Sequence, residues 1–207
     1  MKITGNKFTW FILLAMILPG SCSPGKVSRK KLISIIEHDP GLNQTREING
    51  IKVQARYCPY QLLVCQELLA GNNRDSARVS VLEKKYSGQY YFRLYFSKND
   101  KEVIRQLGSY DQYSNMLQVF AFRLGTYINT TTEKNDTLPL RDYAFEQGYG
   151  MSNANTTLLV FKKSDFDNAG VINLNIGEFG LGIGNVRFTF RQQDLKGIPS
   201  LSYRQLD

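Results

Sequence analysis

Few side chains in this 207-residue chain could carry out nucleophilic or metal chemistry. The chain has one histidine, His38, and three cysteines, Cys22, Cys58 and Cys65. No cysteine or histidine stands at a metal-ligand spacing from His38, so the sequence predicts no metal site. A Ser-His-Asp or Cys-His device would need His38 itself, which falls in the turn-prone stretch 38–41 rather than in an element that could hold a base. We therefore expect no metal, no cofactor and no histidine-based catalysis.

Two carboxylates offer the alternative route to an enzyme. Asp142 and Glu146 are four residues apart in a predicted strand at 141–147, so both lie on one face. Carboxylate pairs hydrolyse glycosidic bonds, and an envelope glycan hydrolase is therefore the alternative function. Against it, two acids on one strand face are typical of a solvated edge, and the only tryptophan, Trp10, falls within the first 21 residues. The prediction is that the protein is not an enzyme.

Cys58 and Cys65 are close enough in sequence to form a disulfide. An oxidising compartment would permit the bond, and a turn at Pro59 could bring the thiols together. If both lay in one helix, seven residues of rise would hold them about 10 Å apart, which is too far. Cys65 also falls on an apolar helical stripe with Leu62 and Leu69, as a core thiol would. The sequence leaves both alternatives open.

A glycine-rich segment at 177–184 has the composition of a phosphate-binding loop. Such a loop must end at a helix N-terminus, where backbone N–H groups meet the phosphate. Here the segment leads into the alternating apolar residues Val186, Phe188 and Phe190, which predict a strand. We therefore interpret it as the connection of a β-hairpin.

The first 21 residues have the three parts of a secretory signal peptide. Lys2 and Lys7 give a basic start, residues 8–18 form a mostly apolar run, and Gly20 and Ser21 precede Cys22. The apolar run is much shorter than the roughly 20 residues that span a membrane. We therefore expect residues 1–21 to be removed on export.

The segment that ends at Cys22 resembles the lipobox of Bacteroidota outer-membrane lipoproteins. The resemblance covers the signal segment alone, and Pro19 stands three residues before the cysteine, where leucine is usual. It implies that the Cys22 thiol carries a diacylglyceryl group and that its freed amine takes a further acyl chain. Several buried acyl chains make such an anchor effectively permanent, since each CH₂ contributes about 0.8 kcal/mol.

The residues after Cys22 indicate which side of the membrane the protein faces. Ser23 is not the aspartate that marks inner-membrane retention in many bacterial lipoproteins. The basic stretch 23–31 lacks the acidic residues typical of Bacteroidota lipoproteins exported to the cell surface. The resemblance therefore implies a lipid anchor in the outer membrane with the domain facing the periplasm, and the cell surface is the alternative.

Charge gives little reason to expect a nucleic-acid partner. The chain carries 26 Lys and Arg against 18 Asp and Glu, a net charge of +8, and loss of Lys2 and Lys7 with the signal leaves +6. The excess is spread along the chain rather than gathered in one motif, and an exported protein would rarely meet nucleic acid.

Alternating apolar residues predict a mainly β fold of antiparallel, β-sandwich-like sheets with two short helices, with α+β as the alternative. Strands are predicted at 51–57, 88–96, about 119–130, 141–147, 156–163, 170–176 and 186–191. Helices are predicted near 59–71 and 109–118. The predicted organisation is a signal peptide at 1–21, an anchor and linker at 22–48, and a single β-rich domain at 49–207.

These observations together favour a non-enzymatic binding, accessory or assembly subunit of an envelope complex, with a glycan or small-ligand binder as a further alternative. Tyr91 and Tyr95 alternate with the apolar residues of their strand, and an exposed tyrosine row would suit contact with an envelope protein partner; a second packed layer is the other interpretation. Asp75-Ser76-Ala77 and Asp136-Thr137-Leu138 resemble the Bacteroidota O-glycosylation acceptor, which would place sugars on Ser76 and Thr137 in predicted loops.

Overall fold

The computed structural model describes residues 25–71 and 75–203. These residues contain ten strands and five α-helices. The helices are α1 (Arg29–His38), α2 (Tyr60–Ala70), α3 (Ser76–Tyr86), α4 (Tyr110–Gln118) and α5 (Gln192–Lys196). The strands are β1 (Asn43–Ile48), β2 (Ile51–Tyr57), β3 (Gln89–Lys98), β4 (Lys101–Glu102), β5 (Ile128–Thr131), β6 (Thr137–Pro139), β7 (Asp142–Glu146), β8 (Asn155–Lys162), β9 (Val171–Ile176) and β10 (Val186–Arg191).

The strands form two antiparallel sheets. One sheet has six strands in the order β1-β2-β3-β8-β7, with the short β4 paired to β3, and the other has the order β10-β9-β5-β6. Every pairing between the named strands is antiparallel. The predicted antiparallel β architecture is therefore confirmed, although the described residues contain five α-helices where two were expected, so α+β describes the fold equally well.

The inner faces of the two sheets enclose the core. Period-two alternation buries Val53 and Ala55 of β2 and Phe92 of β3 on one side, and Phe188 and Phe190 of β10 on the other. The ring centroids of Phe92 and Phe190 lie 4.7 Å apart across the two sheets. This core continues without a break from Leu32 in α1 to Leu201 near the end of the described chain.

Helices cover the outer face of the six-stranded sheet. Tyr91 of β3 packs there with Cys58 and Leu63, and Leu158 and Val160 of β8 extend the contact. Glu67 of α2 accepts hydrogen bonds from Lys85 and Tyr86 of α3, which ties the two covering helices together. The sheet therefore has apolar side chains on both faces, one set in the main core and one beneath the helices.

Residues 29–48, predicted as part of a linker, instead belong to the folded domain. Ser28 caps α1 by accepting a hydrogen bond from the Lys31 N–H at 3.3 Å, and Leu32 and Ile36 are buried one turn apart. Strand β1 then pairs with β2 across the two-residue turn Asn49-Gly50, both of which have positive φ. The predicted boundary at residue 49 thus falls inside a β-hairpin.

Three further predictions of local structure are wrong. The stretch 119–127, predicted as strand, is a π-helical turn (Val119–Arg123) and a 3₁₀ turn (Leu124–Tyr127), since Met116, Phe120 and Leu124 are buried at a helical spacing of four. Ser76 was predicted in a loop but is the first residue of α3, whose N-cap Asp75 accepts a hydrogen bond from the Arg78 N–H at 2.7 Å. Thr137, also predicted in a loop, lies exposed in the edge strand β6.

Candidate ligand-binding pocket

A pocket of about 370 Å³ opens between α1, α2 and the outer face of β2 and β3. Its polar wall contains Arg56 from β2, Arg93 and Tyr95 from β3, and Arg29 from the first turn of α1. Its apolar wall comes from the two helices and consists of Ile33, Ile36, Leu62, Leu63 and Leu69. One side of this pocket is thus cationic and the other is hydrocarbon.

Strand pairing places two of the arginines directly opposite each other. Arg56 pairs with Arg93 in the antiparallel register of β2 and β3, and both side chains point to the outer face because the inner-face positions are apolar. Like charges directly opposite on neighbouring strands destabilise a sheet. Placing such a pair, half-buried, beneath two helices is a local conflict of the kind that natural proteins retain at functional sites.

Each of these two guanidinium groups has one acidic partner at the edge of the pocket. Arg56 forms an ion pair with Glu37 of α1 at 2.9 Å and stacks over the Tyr95 ring at 5.1 Å. Arg93 forms an ion pair with Glu146 of β7 at 3.1 Å. The Nε atoms of both arginines are buried without a hydrogen-bond partner among the described residues.

The third arginine and the lining as a whole shift the balance towards positive charge. Arg29 forms no ion pair with any residue that the structure describes. Three arginines line the pocket, and no aspartate or glutamate does. The pocket therefore presents more positive charge than its two acidic neighbours neutralise.

The other titratable groups in the pocket stay neutral at physiological pH. Burial raises the pKa of the Cys58 thiol to about 11, with Arg93 acting in the opposite direction. Burial also raises the pKa of the Tyr95 hydroxyl, again against the effect of the neighbouring arginines. A neutral thiol is neither a good nucleophile nor a metal ligand. The pocket can bind and orient a ligand, but these groups do not exchange protons near neutral pH.

The tyrosine row does not form the exposed contact surface that one interpretation of the sequence predicted. Tyr91 is only 5% exposed, stacks edge-on against Tyr86 at 6.1 Å and donates its hydroxyl to the Tyr86 carbonyl at 3.3 Å. Tyr95 lies half-buried in the pocket wall. The second-layer interpretation is therefore the correct one for Tyr91, because α2 and α3 fold over this face.

Cys58 and Cys65 are both free thiols in the structure, so the disulfide alternative is not realised. The Cys58 N–H donates to the Tyr91 carbonyl at 2.9 Å, which holds the residue on the outer face of the sheet before α2 begins. Cys65 lies within α2 and points into the main core. Cys58 thus packs in the layer beneath the helices and Cys65 in the main core, so the two thiols are not in one helix and belong to different apolar clusters.

The predicted carboxylate pair, Asp142 and Glu146, is exposed on the outer face of β7, where four residues of strand rise separate the two Cα atoms by about 13 Å. Glu146 is engaged with Arg93. His38 is exposed at the end of α1, where Nδ1 lies 2.7 Å from the Ser34 carbonyl oxygen.

The glycine-rich segment is a hairpin connection between β9 and β10, as predicted. It binds an anion, but that anion is its own side chain: the Glu178 carboxylate accepts from the N–H groups of Gly180 at 2.7 Å, Gly182 at 2.9 Å and Gly184 at 2.5 Å. The backbone N–H bonds lower the pKa of Glu178, although burial acts to raise it. These N–H groups already have their acceptor.

The outer face of the four-stranded sheet is a second surface of interest. Asn175 of β9 donates to Asn129 of β5 at 3.0 Å and accepts from Arg187 of β10 at 2.8 Å. Thr189 donates to Asn173 at 2.9 Å. These side chains are exposed or half-buried, and their polar groups bond mainly to one another.

The predicted signal peptide and lipidation site cannot be compared with the structure. The signal segment 1–21 and Cys22 are outside the described part of the chain. Within that part, no group of three or more His, Cys, Asp or Glu could hold a metal ion. No helix there is long and apolar enough to cross a membrane.

The arginines of the pocket were not predicted as functional residues from the sequence. The available signal was that Arg56 and Arg93 occupy the polar positions of two alternating strands that could pair. Their meeting depends on the register and on the covering helices, which a single strand pattern does not reveal.

No family model, curated protein or solved structure matches this chain.

Proposed function

We propose that this chain is an outer-membrane lipoprotein, anchored through lipid on Cys22 and facing the periplasm, whose domain is a non-enzymatic binding module. The signal-like segment and the small residues before Cys22 support the anchor. The observation that carries the binding role is the pocket between α1, α2 and the six-stranded sheet. Its size is at the lower end of the range for small-molecule sites, and it combines an apolar wall with a few charged groups as such sites do.

Binding rather than catalysis fits the chemistry of this pocket. Arginine side chains stay protonated in proteins, and burial keeps Cys58 and Tyr95 protonated as well. General acid–base catalysis needs a group whose pKa is near the operating pH. None of the titratable side chains that line the pocket meets that condition.

The anchor is tested by replacing Cys22. We expect Cys22→Ser to leave a precursor that keeps residues 1–21 and takes up no radiolabelled palmitate. If the variant is still cleaved and stays in the membrane through salt and carbonate washes, the lipoprotein proposal is wrong. Protease added to intact cells should spare the wild-type protein and digest it after permeabilisation; digestion in intact cells would place it on the surface.

The binding role is tested by blocking the pocket. Ile33 is half-buried on its apolar wall, so Ile33→Trp should fill part of it, whereas Val81→Trp adds the same bulk on the exposed side of α3. An organic extract of the cell envelope should raise the melting temperature of wild type and of Val81→Trp, and fail to do so for Ile33→Trp. Equal shifts in all three proteins would contradict a role for the pocket.

An accessory role with a protein partner is the second candidate, favoured by exposed apolar side chains outside the predicted tyrosine row. Tyr149 and Met151 are exposed on the loop before β8. That loop is held in place by the buried Glu102, which accepts from the Gly150 N–H at 3.0 Å and the Ser152 hydroxyl at 2.6 Å. Cross-linking in cells from position 149 should yield a defined envelope protein adduct that Met151→Ser weakens, with position 81 as the control.

A further inference from the structure

We propose that the pocket binds a single-chain amphiphile with one anionic headgroup, a carboxylate or a phosphate, whose hydrocarbon chain lies along α1 and α2. The inference rests on the proposed binding function and names its ligand class. It follows from three separate features of the pocket: its charge, its apolar wall and its place in the chain.

The positive charge of the pocket favours an anionic ligand. Arg56 and Arg93 are directly opposite on paired strands, and each has its single acidic partner at the exposed edge. An anionic ligand would supply acceptors for the buried Nε–H groups of both arginines, which have no partner among the described residues. Arginine presents five donors in a fork that matches carboxylate and phosphate oxygens, and each ion pair here uses only one nitrogen.

The apolar wall favours a ligand with a hydrocarbon chain over a free inorganic anion. Ile33 of α1 and Leu62 and Leu69 of α2 face the same space as the arginines. Leu69 is 40% exposed and adds accessible apolar surface to this wall. A volume of about 370 Å³ suits one short chain and is small for a lipid with two.

The position of the pocket in the chain places it near a membrane. Arg29 lines the pocket and is seven residues from Cys22, so a fully extended chain between them spans at most about 25 Å. If Cys22 carries the anchor, Arg29 is tethered within that distance of the lipidated residue, so the pocket that it lines lies close to a source of amphiphiles.

The test measures binding of defined probes to residues 23–207, which retain the whole continuous core from Leu32 to Leu201. Calorimetry with decanoate and decyl phosphate should show saturable binding of one molecule per chain. Decanol and decyltrimethylammonium, which keep the chain and lose or reverse the charge, should bind at least about tenfold more weakly. Acetate and inorganic phosphate, which keep the charge and lose the chain, should show no saturable binding.

Variants assign the binding to the pocket. Arg93→Gln and Arg29→Gln should each weaken decanoate binding about tenfold, and Arg187→Gln on β10 should leave it unchanged. Arg29 has no ion pair among the described residues, so its replacement keeps the test valid if Arg93→Gln unfolds the domain. Leu69→Glu and Leu69→Lys remove the same apolar contact and add opposite charges; decanoate should bind the lysine variant more tightly than the glutamate variant.

The outcomes separate this inference from the proposed function. Equal binding of decanoate, decanol and decyltrimethylammonium would overturn the anionic headgroup and leave a binding pocket. Failure of every probe, with an envelope extract still stabilising wild type but not Ile33→Trp, would overturn the amphiphile and keep the function. Failure of both the probes and the extract would overturn both proposals.

Discussion

The outer faces of the two sheets both carry polar side chains, but only that of the six-stranded sheet is covered by helices. On the six-stranded sheet, α1 and α2 fold over Arg56, Arg93 and Tyr95 and enclose them with hydrocarbon. On the four-stranded sheet, Asn175 and its neighbours stay at the surface and hydrogen-bond to one another. Polar alternation thus marks the face opposite the core, and the helices decide whether that face is open to solvent or lines a pocket.

The energetic consequence differs between the two faces. Under the helices, charged and aromatic groups are partly removed from water, so their interactions are stronger and an unpaired donor is costly. At the open face, water competes for every polar group, and exposed pairs contribute little. Substitutions on the covered face should therefore have larger effects on stability and on ligand binding than substitutions on the open face.

The largest difference should come from the aromatic layer beneath the helices. Tyr91→Ala removes a buried ring that packs against Tyr86, and we expect it to lower the free energy of unfolding by about 3 kcal/mol. Thr189→Ala on the open face should change it by less than about 0.5 kcal/mol. Urea unfolding followed by circular dichroism measures both, and comparable losses would contradict the division into covered and open faces.

The next difference is a dependence on pH that only the covered face should show. Because burial raises the pKa of the Cys58 thiol from 9.0 to about 11, the folded state favours the neutral thiol. Its contribution is complete below pH 9 and is lost as the pH rises from about 9 to 11, by about 2 to 3 kcal/mol at most. The stability advantage of wild type over Cys58→Ala should shrink across this window.

Chemical denaturation of both proteins between pH 8 and 11 would measure this advantage. Thr189→Ala serves as the matched control, and its free energy of unfolding should differ from that of wild type by a constant amount over the same range. A constant difference for Cys58→Ala as well would show that the thiol is not held in a desolvated position.

The smallest expected effect is the coupling free energy between two neighbouring side chains, which should have opposite signs on the two faces. A double-mutant cycle with Arg56→Gln and Arg93→Gln should show that each arginine destabilises the other by about 0.5 to 1 kcal/mol, since like charges oppose each other in the β2–β3 register. The cycle with Asn175→Ala and Arg187→Ala on the open face should show a favourable coupling of similar size. A favourable Arg56–Arg93 coupling without ligand would remove the electrostatic reason for an anion.

Sequence periodicity predicted those parts of the fold in which local pattern and tertiary environment agree. Strand β2 runs from Ile51 to Tyr57 as expected, and β10 starts and ends where its alternation does. The Asn49-Gly50 turn that joins β1 to β2 is a strong hairpin signal. No strand was predicted before this turn because β1 is mostly polar, with Arg46 and Glu47 exposed at a sheet edge.

The candidate site was less accessible from the sequence than the fold. Tyr91 and Tyr95 follow the same alternation, yet one is buried under α2 and α3 and the other lines the pocket. Their difference is set by helices that come from other segments of the chain. Arg56 and Arg93 are 37 positions apart, and only the strand register brings them together. Pairing and coverage are tertiary facts that no short sequence pattern encodes.

The most direct test of the central claim maps where an amphiphile binds. Methyl-labelled protein comprising residues 23–207 would be titrated with decanoate and followed by NMR. We predict saturable shifts at Ile33, Leu62 and Leu69 with one shared dissociation constant, while the methyls of Thr131 and Thr189 on the open face stay unmoved. Saturable shifts at the two threonines with unmoved pocket methyls would contradict the account.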